Sequence, residues 1–245
     1  MTVTGIDISH HNATPDFSRY DFVFHKATEG VGFVDNAYSS RVSLTRSLGI
    51  VTGVYHFMTM TDSAQAQVNH FNNVANIQPG DIVALDFEND GTWAQHTNGQ
   101  IADMGNACAR ALEMHYPTNR VVVYCNRSAY MLGVRGRDGM WIASPGVTPT
   151  VPYVFWQYGG ELTLDLDRGN FDTVNNLKEW AGMGDVERFF DDTANSVTNP
   201  RGEKQTVFEA IWEVYDAVAA LSARVEALEA LKGSFTITGS GTVGQ

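Results

Sequence analysis

The 245-residue chain is poor in positive charge. Its 16 Lys and Arg stand against 28 Asp and Glu, a formal net charge of −12. Nucleic-acid binding needs a basic surface, so this deficit argues against such a ligand. It argues equally against electrostatic capture by an anionic membrane or wall polymer, and leaves only local, specific binding to such a polymer. Cysteine is scarce as well. Cys108 and Cys125 fall in a predicted helix and a predicted strand, with no C-x-x-C pair, so neither a zinc nor a redox motif is supported. Both are read as free, buried thiols. No run of about 18 apolar residues occurs, which excludes a membrane-spanning helix and with it membrane insertion. The opening "MTVTGIDISHHN" lacks the basic and long apolar regions of a secretory signal peptide.

What is present is a series of short apolar runs rich in β-branched and aromatic residues. They are "TGIDIS" (4–9), "DFVFHKA" (21–27), "IVTGVYHF" (50–57), "DIVALDFE" (81–88), "RVVVYC" (120–125), "MWIAS" (140–144), "YVFWQYG" (153–159) and "LTLDLD" (162–167). Helix-like stretches at 35–48, 62–76 and 98–115 lie between the early runs, the second opening with Asp62 and Ser63 as candidate N-caps. Alternating strands and helices predict a parallel sheet, and eight such strands predict a TIM-like β/α-barrel. Past residue 140 the gaps are too short for helices. The α/β fold expected is therefore an irregular barrel with its late helices missing and its last strands joined by loops or hairpins. An open doubly wound sheet is the alternative, but no Gly-rich phosphate loop follows any strand.

The barrel is assigned to 1–184. Residues 185–205 are polar, with Asn199-Pro200 and Gly202 as breakers, and read as a linker. In 206–232 the period changes. Val207, Ile211, Val214, Val218, Leu221, Val225 and Leu228 alternate spacings of four and three, the a/d stripe of a coiled coil. Arg224 falls at g and Glu229 at the following e. A homo-oligomer, dimer or trimer, through 207–231 is expected; the alternative is an amphipathic helix packed on its own domain. A Gly/Ser/Thr-rich tail occupies 233–245.

The chemistry-bearing feature is "DIVALDFEND" (81–90), an apolar run that encloses Asp86 and Glu88. Side chains at i and i+2 of a strand share a face, about 6–7 Å apart at their Cα atoms. At that distance two carboxylates repel by about 2–3 kcal/mol at an effective dielectric near 20. One acid then holds its proton near neutral pH while the other is ionised, the combination that glycoside hydrolysis uses. Other strand ends carry Asp7, Asp165 and Asp167, and aromatic residues are placed similarly: Tyr55, Phe57, Tyr124, Trp141, Trp156 and Tyr158. A groove of acids and ring faces suits sugars. Two other readings stay open: carboxylates paired with distant Arg residues, and a metal centre that adds His10, His11, His25 or His56.

The ordered set "GIDISHH", "FVFHKATEG", "GVYHF", "ALDFE", "VVVYCN", "WIAS" and "WQYGG", over about residues 3–180, resembles the family-25 glycoside hydrolases, the N-acetylmuramidases or lysozymes of bacteria and phages. The resemblance implies an irregular β/α-barrel that cleaves the β-1,4 bond between N-acetylmuramic acid and N-acetylglucosamine in bacterial peptidoglycan, with no cofactor and no metal. By position, Glu88 matches the family's general acid, Asp86 its partner carboxylate and Asp7 the first-strand Asp. The family's last strand usually reads like "VDLNxF"; here it is "LDLDRGNF". Counting back from Phe171 selects Asp167 as the fourth catalytic acid, whereas matching "xDL" selects Asp165, which is otherwise a substrate contact. Tyr55, Tyr124, Trp141 and Trp156 map to groove-lining positions, with Phe57 beside them. No choline-binding or lysin-motif repeats occur in 185–245, so self-association is expected to supply avidity for an insoluble polymer. With no signal peptide, a phage endolysin is expected, held in the host cytoplasm before release by a separate pore protein and acting on the cell wall. The alternative, prompted by the altered last strand, is a catalytically inactive or virion-associated wall-binding protein.

Overall fold

The computed structural model describes residues 3–161 and 164–183, and the strand backbone at 196–198 and 204–206. The chain divides into two units, Met1–Val186 and Glu187–Gln245. In the first, β1 (Val3–Ile8), β2 (Phe22–Glu29), β3 (Phe33–Val34), β4 (Val51–Phe57), β5 (Ile82–Asp86), β6 (Arg120–Asn126), β7 (Met140–Ala143), β8 (Phe155–Glu161) and β9 (Leu164–Gly169) form one sheet. Its order is β1-β9-β8-β7-β6-β5-β4-β2, and a β1–β2 pairing closes it into an eight-stranded barrel. Among the described residues the short β3 pairs only with β2, and it stays outside the closure. Each barrel strand coincides with one of the eight apolar runs.

β1 pairs in parallel with β2, and parallel pairing continues through β4, β5, β6, β7 and β8. β9 runs antiparallel to both β8 and β1. Parallel pairing needs a crossover of a dozen or more residues, which the interval between β8 and β9 cannot provide. The expectation of hairpin-joined late strands holds here for that reason.

Helices α1 (Tyr38–Ser47), α2 (Ala64–Ala75) and α3 (Asn98–His115) sit where the sequence pattern places them. Ser63 caps α2 by accepting from the Ala66 N–H, and Thr97 and Gln100 form a capping box on α3. A four-residue α4 (Arg127–Tyr130) and α5 (Val174–Ala181) were not anticipated. Thr173 caps the start of α5, and Gly182 ends it at φ 87°.

The two faces of the strands carry different cores. Phe22, Phe24, Val51, Ile82, Ala84, Val122, Trp141 and Phe155 fill the barrel interior. Val54, Val83, Leu85, Val121, Val123, Cys125 and Ile142 point outward to the helical layer. Leu177 and Ala181 of α5 join the interior cluster with Val3, Val51 and Ile82, which lie at the starts of their strands. So α5 plugs the N-terminal end of the barrel and leaves the other end as the mouth. Two inner-face glycines make room for rings. A Cβ on Gly5 would lie 2.4 Å from the Phe22 ring, and one on Gly53 would lie 2.1 Å from the Phe24 ring. Cys108 and Cys125 are both free and buried.

In the second unit, β10 (Ser196–Thr198) and β11 (Lys204–Thr206) pair antiparallel. The segment read as a linker, 185–205, therefore contains strand, and Thr206 of the predicted coil segment belongs to β11. The heptad stripe from Val207 and the 233–245 tail lie outside the described residues. Among the described residues no helix is long and apolar enough to cross a membrane.

Candidate active site

On β5 the inward stripe Ile82, Ala84, Asp86 ends in a carboxylate, and Glu88 follows two residues on, just past the strand. Asp86 is only 7% exposed, whereas Glu88 is half-buried. Asp86 is flanked by Phe57 of β4 and Tyr124 of β6 in the ladder. Across the barrel, Asp7 of β1 is opposite Asp165 of β9, and Gly5 is opposite Asp167. Period-two alternation puts Asp7, Asp165 and Asp167 on the inner wall together. The structure thus gathers all five sequence-predicted acids, Asp7, Asp86, Glu88, Asp165 and Asp167, in the mouth and upper interior of one barrel.

These acids are held by a network that sequence reasoning missed. Gln157 Nε2 donates to Asp7 Oδ2 at 2.8 Å, and Gln157 Oε1 accepts from the Tyr124 hydroxyl at 2.9 Å. Trp141 Nε1 donates to Asp167 Oδ1 at 2.7 Å. Gln157 lay within the quoted "WQYGG". Its inward direction follows from its two-residue spacing from core Phe155, a signal that the nearby aromatic residues obscured. Lys26 was also missed. It continues the inward stripe of Phe22 and Phe24, pairs with Glu29 at 2.6 Å and lies 4.7 Å from the Phe57 ring centroid.

Burial dominates the electrostatics. Burial pushes the Asp86 carboxyl well above the usual carboxylate range, Glu88 and Asp7 add to the push, and the Lys26 ammonium opposes it. Glu88 is raised by burial and by Asp165, again against Lys26. Asp7 is pushed up to about 7 by burial and by Asp165, while hydrogen bonds from Gln157 and Asp167 pull it down. Asp167 is raised well above its ordinary value by burial first and then by Asp7. Burial also raises the Tyr55 and Tyr124 hydroxyls. In this mouth burial favours the protonated form of each of these acids relative to a free carboxylate.

The aromatic residues divide differently from the sequence expectation. Trp141 is 2% exposed and stacked on Phe24 at 4.2 Å and 20°, so its faces are closed to any ligand and its indole N–H serves Asp167. Tyr55 and Tyr124 are 7% and 9% exposed, so their rings belong to the interior wall. Phe57 is half-buried on the inner side of β4, under Lys26. Trp156 is displaced outright. Because Phe155 and Gln157 face inward, Trp156 faces outward, opposite Arg168, whose guanidinium lies 5.6 Å from its ring. There Trp156 lines a recess of about 530 Å³ with Tyr153, Arg168 and Phe171 on the outer wall, away from the acids.

The histidines do not join the acids. His25 and His56 lie on the outward faces of β2 and β4, bonded to Thr45 and to Thr28 and Gln67. Burial lowers them to about 3 and about 4. His10 Nδ1 pairs with Asp35 at 3.0 Å, and His11 packs on His10. Among the described residues, no group of three or more His, Cys, Asp or Glu is arranged to hold a metal ion.

An eight-stranded barrel with acids at the ends of β1 and β5 and on a reversed last strand is a specific arrangement. Residues 6–165 match the family model described as glycosyl hydrolases family 25. The chain belongs to glycosyl hydrolase family 25. It is 28% identical over 202 residues to Lysozyme M1 of Streptomyces globisporus, an overlap of 69% of this chain and 67% of that one. Its fold superposes on the muramidase from Acremonium alcalophilum with a TM-score of 0.62, at 25% identity over 74% of this chain and 99% of the other. The CTP1L endolysin gives a TM-score of 0.57 at 28% identity, covering 72% of this chain and 69% of that one. The family match ends at Asp165 and so includes that acid but not Asp167.

Proposed function

We propose that this family-25 glycosidase is an N-acetylmuramidase, cleaving the β-1,4 bond between N-acetylmuramic acid and N-acetylglucosamine of bacterial peptidoglycan. The observation that carries the reading is the β5 lip, where a buried Asp86 and a half-exposed Glu88 stand two residues apart on one wall of the mouth. Glu88 is the more accessible of the two and is held toward its protonated form, so it gives its proton to the glycosidic oxygen as the C–O bond breaks. Positive charge then develops at the sugar's anomeric carbon. Asp86, below Glu88, and Asp7, across the barrel, are placed to stabilise that charge. Water adds at the anomeric carbon and returns a proton to Glu88, which completes the turnover. Lysozyme M1 and the Acremonium muramidase, by their names, support the choice of polymer.

A phage endolysin role, with the protein held in the host cytoplasm before release onto the wall, is supported by the likeness to the CTP1L endolysin. Self-association through 207–231 is supported by the heptad stripe. Digestion of purified peptidoglycan, followed by borohydride reduction and mass spectrometry, tests the reaction. New reduced muramic acid ends from wild type, absent with Glu88→Gln, are expected. Reduced glucosamine ends would keep the glycosidase chemistry and overturn the bond assignment. No new ends on walls of several compositions would leave a binding protein.

A further inference from the structure

Asp167 sits deeper than the other acids. It is 0% exposed, and its Oδ1 accepts the Trp141 indole N–H at 2.7 Å. Its Oδ2 is buried and receives no N–H or O–H donor from the described residues. The Asp7 carboxylate lies nearby on the adjoining strand β1, and its charge acts on Asp167; Asp165 stands two residues away on the same strand as Asp167. A hydrogen bond between two carboxyl groups requires a proton on one of them. An ionised Asp167 would leave a fully buried charge with a single donor among the described residues, beside a second carboxylate, an arrangement that burial strongly disfavours. Asp7 has the better claim to the charge. It already accepts from Gln157 Nε2, whose amide is fixed in orientation by the Tyr124 hydroxyl, and it is not fully buried.

We infer that Asp167 is a neutral carboxylic acid at neutral pH, anchored through Oδ1 by Trp141 and donating its Oδ2 proton to Asp7. It is then a positioning residue and not a group that touches substrate. It gives Asp7 a second donor beside Gln157, favouring the ionised form and fixing the carboxylate plane toward the mouth. The acid that β9 offers to the sugar is Asp165, which is exposed where Asp167 is not. Both matches to the family's last-strand pattern thus select inner-wall residues with separate duties.

The positioning role rests on the glycosidase reading; the protonation state does not. Infrared difference spectra of wild type minus Asp167→Asn at pH 8 therefore come first. The expected result is a carbonyl band of a protonated carboxylic acid that is present in wild type, lost in Asp167→Asn and retained in Asp165→Asn. Absence of that band from wild type, or its persistence in Asp167→Asn, would overturn the inference whether or not peptidoglycan is cleaved. Kinetics then test the role. Asn reproduces the neutral acid, since its carbonyl accepts from Trp141 and its amide donates to Asp7. Asp167→Asn should keep kcat within about tenfold of wild type, whereas a charged catalytic group would lose about 10²-fold or more. Asp167→Ala cannot donate to Asp7, so it should move the acid limb of the pH–rate profile upward, and the Asn variant should restore it. A loss beyond tenfold in the Asn variant, or an unmoved limb in the Ala variant, would count against positioning.

Discussion

Asp7 and Asp165 stand directly opposite each other across the antiparallel β1–β9 ladder, with both side chains on the inner wall. After burial, the charge of Asp165 is the largest influence that holds the Asp7 carboxyl up at about 7. Removing that charge lowers the Asp7 pKa. If ionised Asp7 is needed for turnover, Asp165→Asn should shift the acid limb of kcat/KM toward lower pH. An unshifted limb would mean that another group sets it.

Glu88→Gln keeps the shape of the side chain and removes the transferable proton. The loss in kcat should be about 10²- to 10⁴-fold, the usual worth of general acid catalysis. The melting temperature should not fall, because a half-buried carboxyl with a raised pKa gives no stability as an anion. Turbidity loss of a wall suspension and thermal melts at one pH suffice for the comparison. Near-wild-type lysis by the variant would remove Glu88 from the mechanism.

Stability should also respond to pH through Asp7. Its folded pKa is raised from 3.8 to about 7, so the folded state binds the proton more tightly than the unfolded chain. This group is therefore least destabilising below pH 3.8. It subtracts about 1.4 kcal/mol per pH unit as pH rises from there toward 7, and the loss levels off above that. Asp7→Asn removes this slope. Denaturant unfolding at pH 4 and pH 8 should show the variant gaining on wild type at the higher pH; equal differences at both would refute the burial account.

Gly53 has no room for a side chain, because the Phe24 ring lies where its Cβ would be. Gly53→Ala should cost about 1–3 kcal/mol in chemical unfolding, the usual penalty for overpacking. A neutral result would mean that the interior rings repack freely.

Trp156 gives the opposite test. It faces the outer wall beside Arg168, so Trp156→Ala should leave turnover of a soluble oligosaccharide within about twofold, as for surface changes remote from a site. Tyr124→Phe, which removes the hydroxyl that orients Gln157, should reduce it further. A large loss with Trp156→Ala alone would return that ring to the substrate groove.

Much of this arrangement was legible in the chain. The eight barrel strands announced themselves as β-branched runs, and α1, α2 and α3 as helix-like stretches, with Ser63 among the candidate caps of α2, because both signals are local. β3, two residues long, and α5, which is defined by plugging the barrel, depend on contacts that no local pattern carries. The acids Asp86 and Glu88 were legible because charge inside an apolar run needs a reason. Trp156 was misplaced by phase: one residue separates the inner wall from the outer, and only Phe155 inside the core sets the count. Asp165 and Asp167 share a face under any register, so alternation could not separate the accessible acid from the buried one. That distinction is one of depth, which only the closed barrel defines.

The reversed strand β9 has a consequence for synthesis. It is the stave between β8 and β1, and the Gln157–Asp7 bond it helps enclose joins residues 150 positions apart. A nascent chain that stops short of Gly169 has β1 paired only with β2 and the barrel open on one side. Long-range pairings of this kind form late in folding. Translation products that end before β9 should therefore lack the closed acid pocket and leave a wall intact.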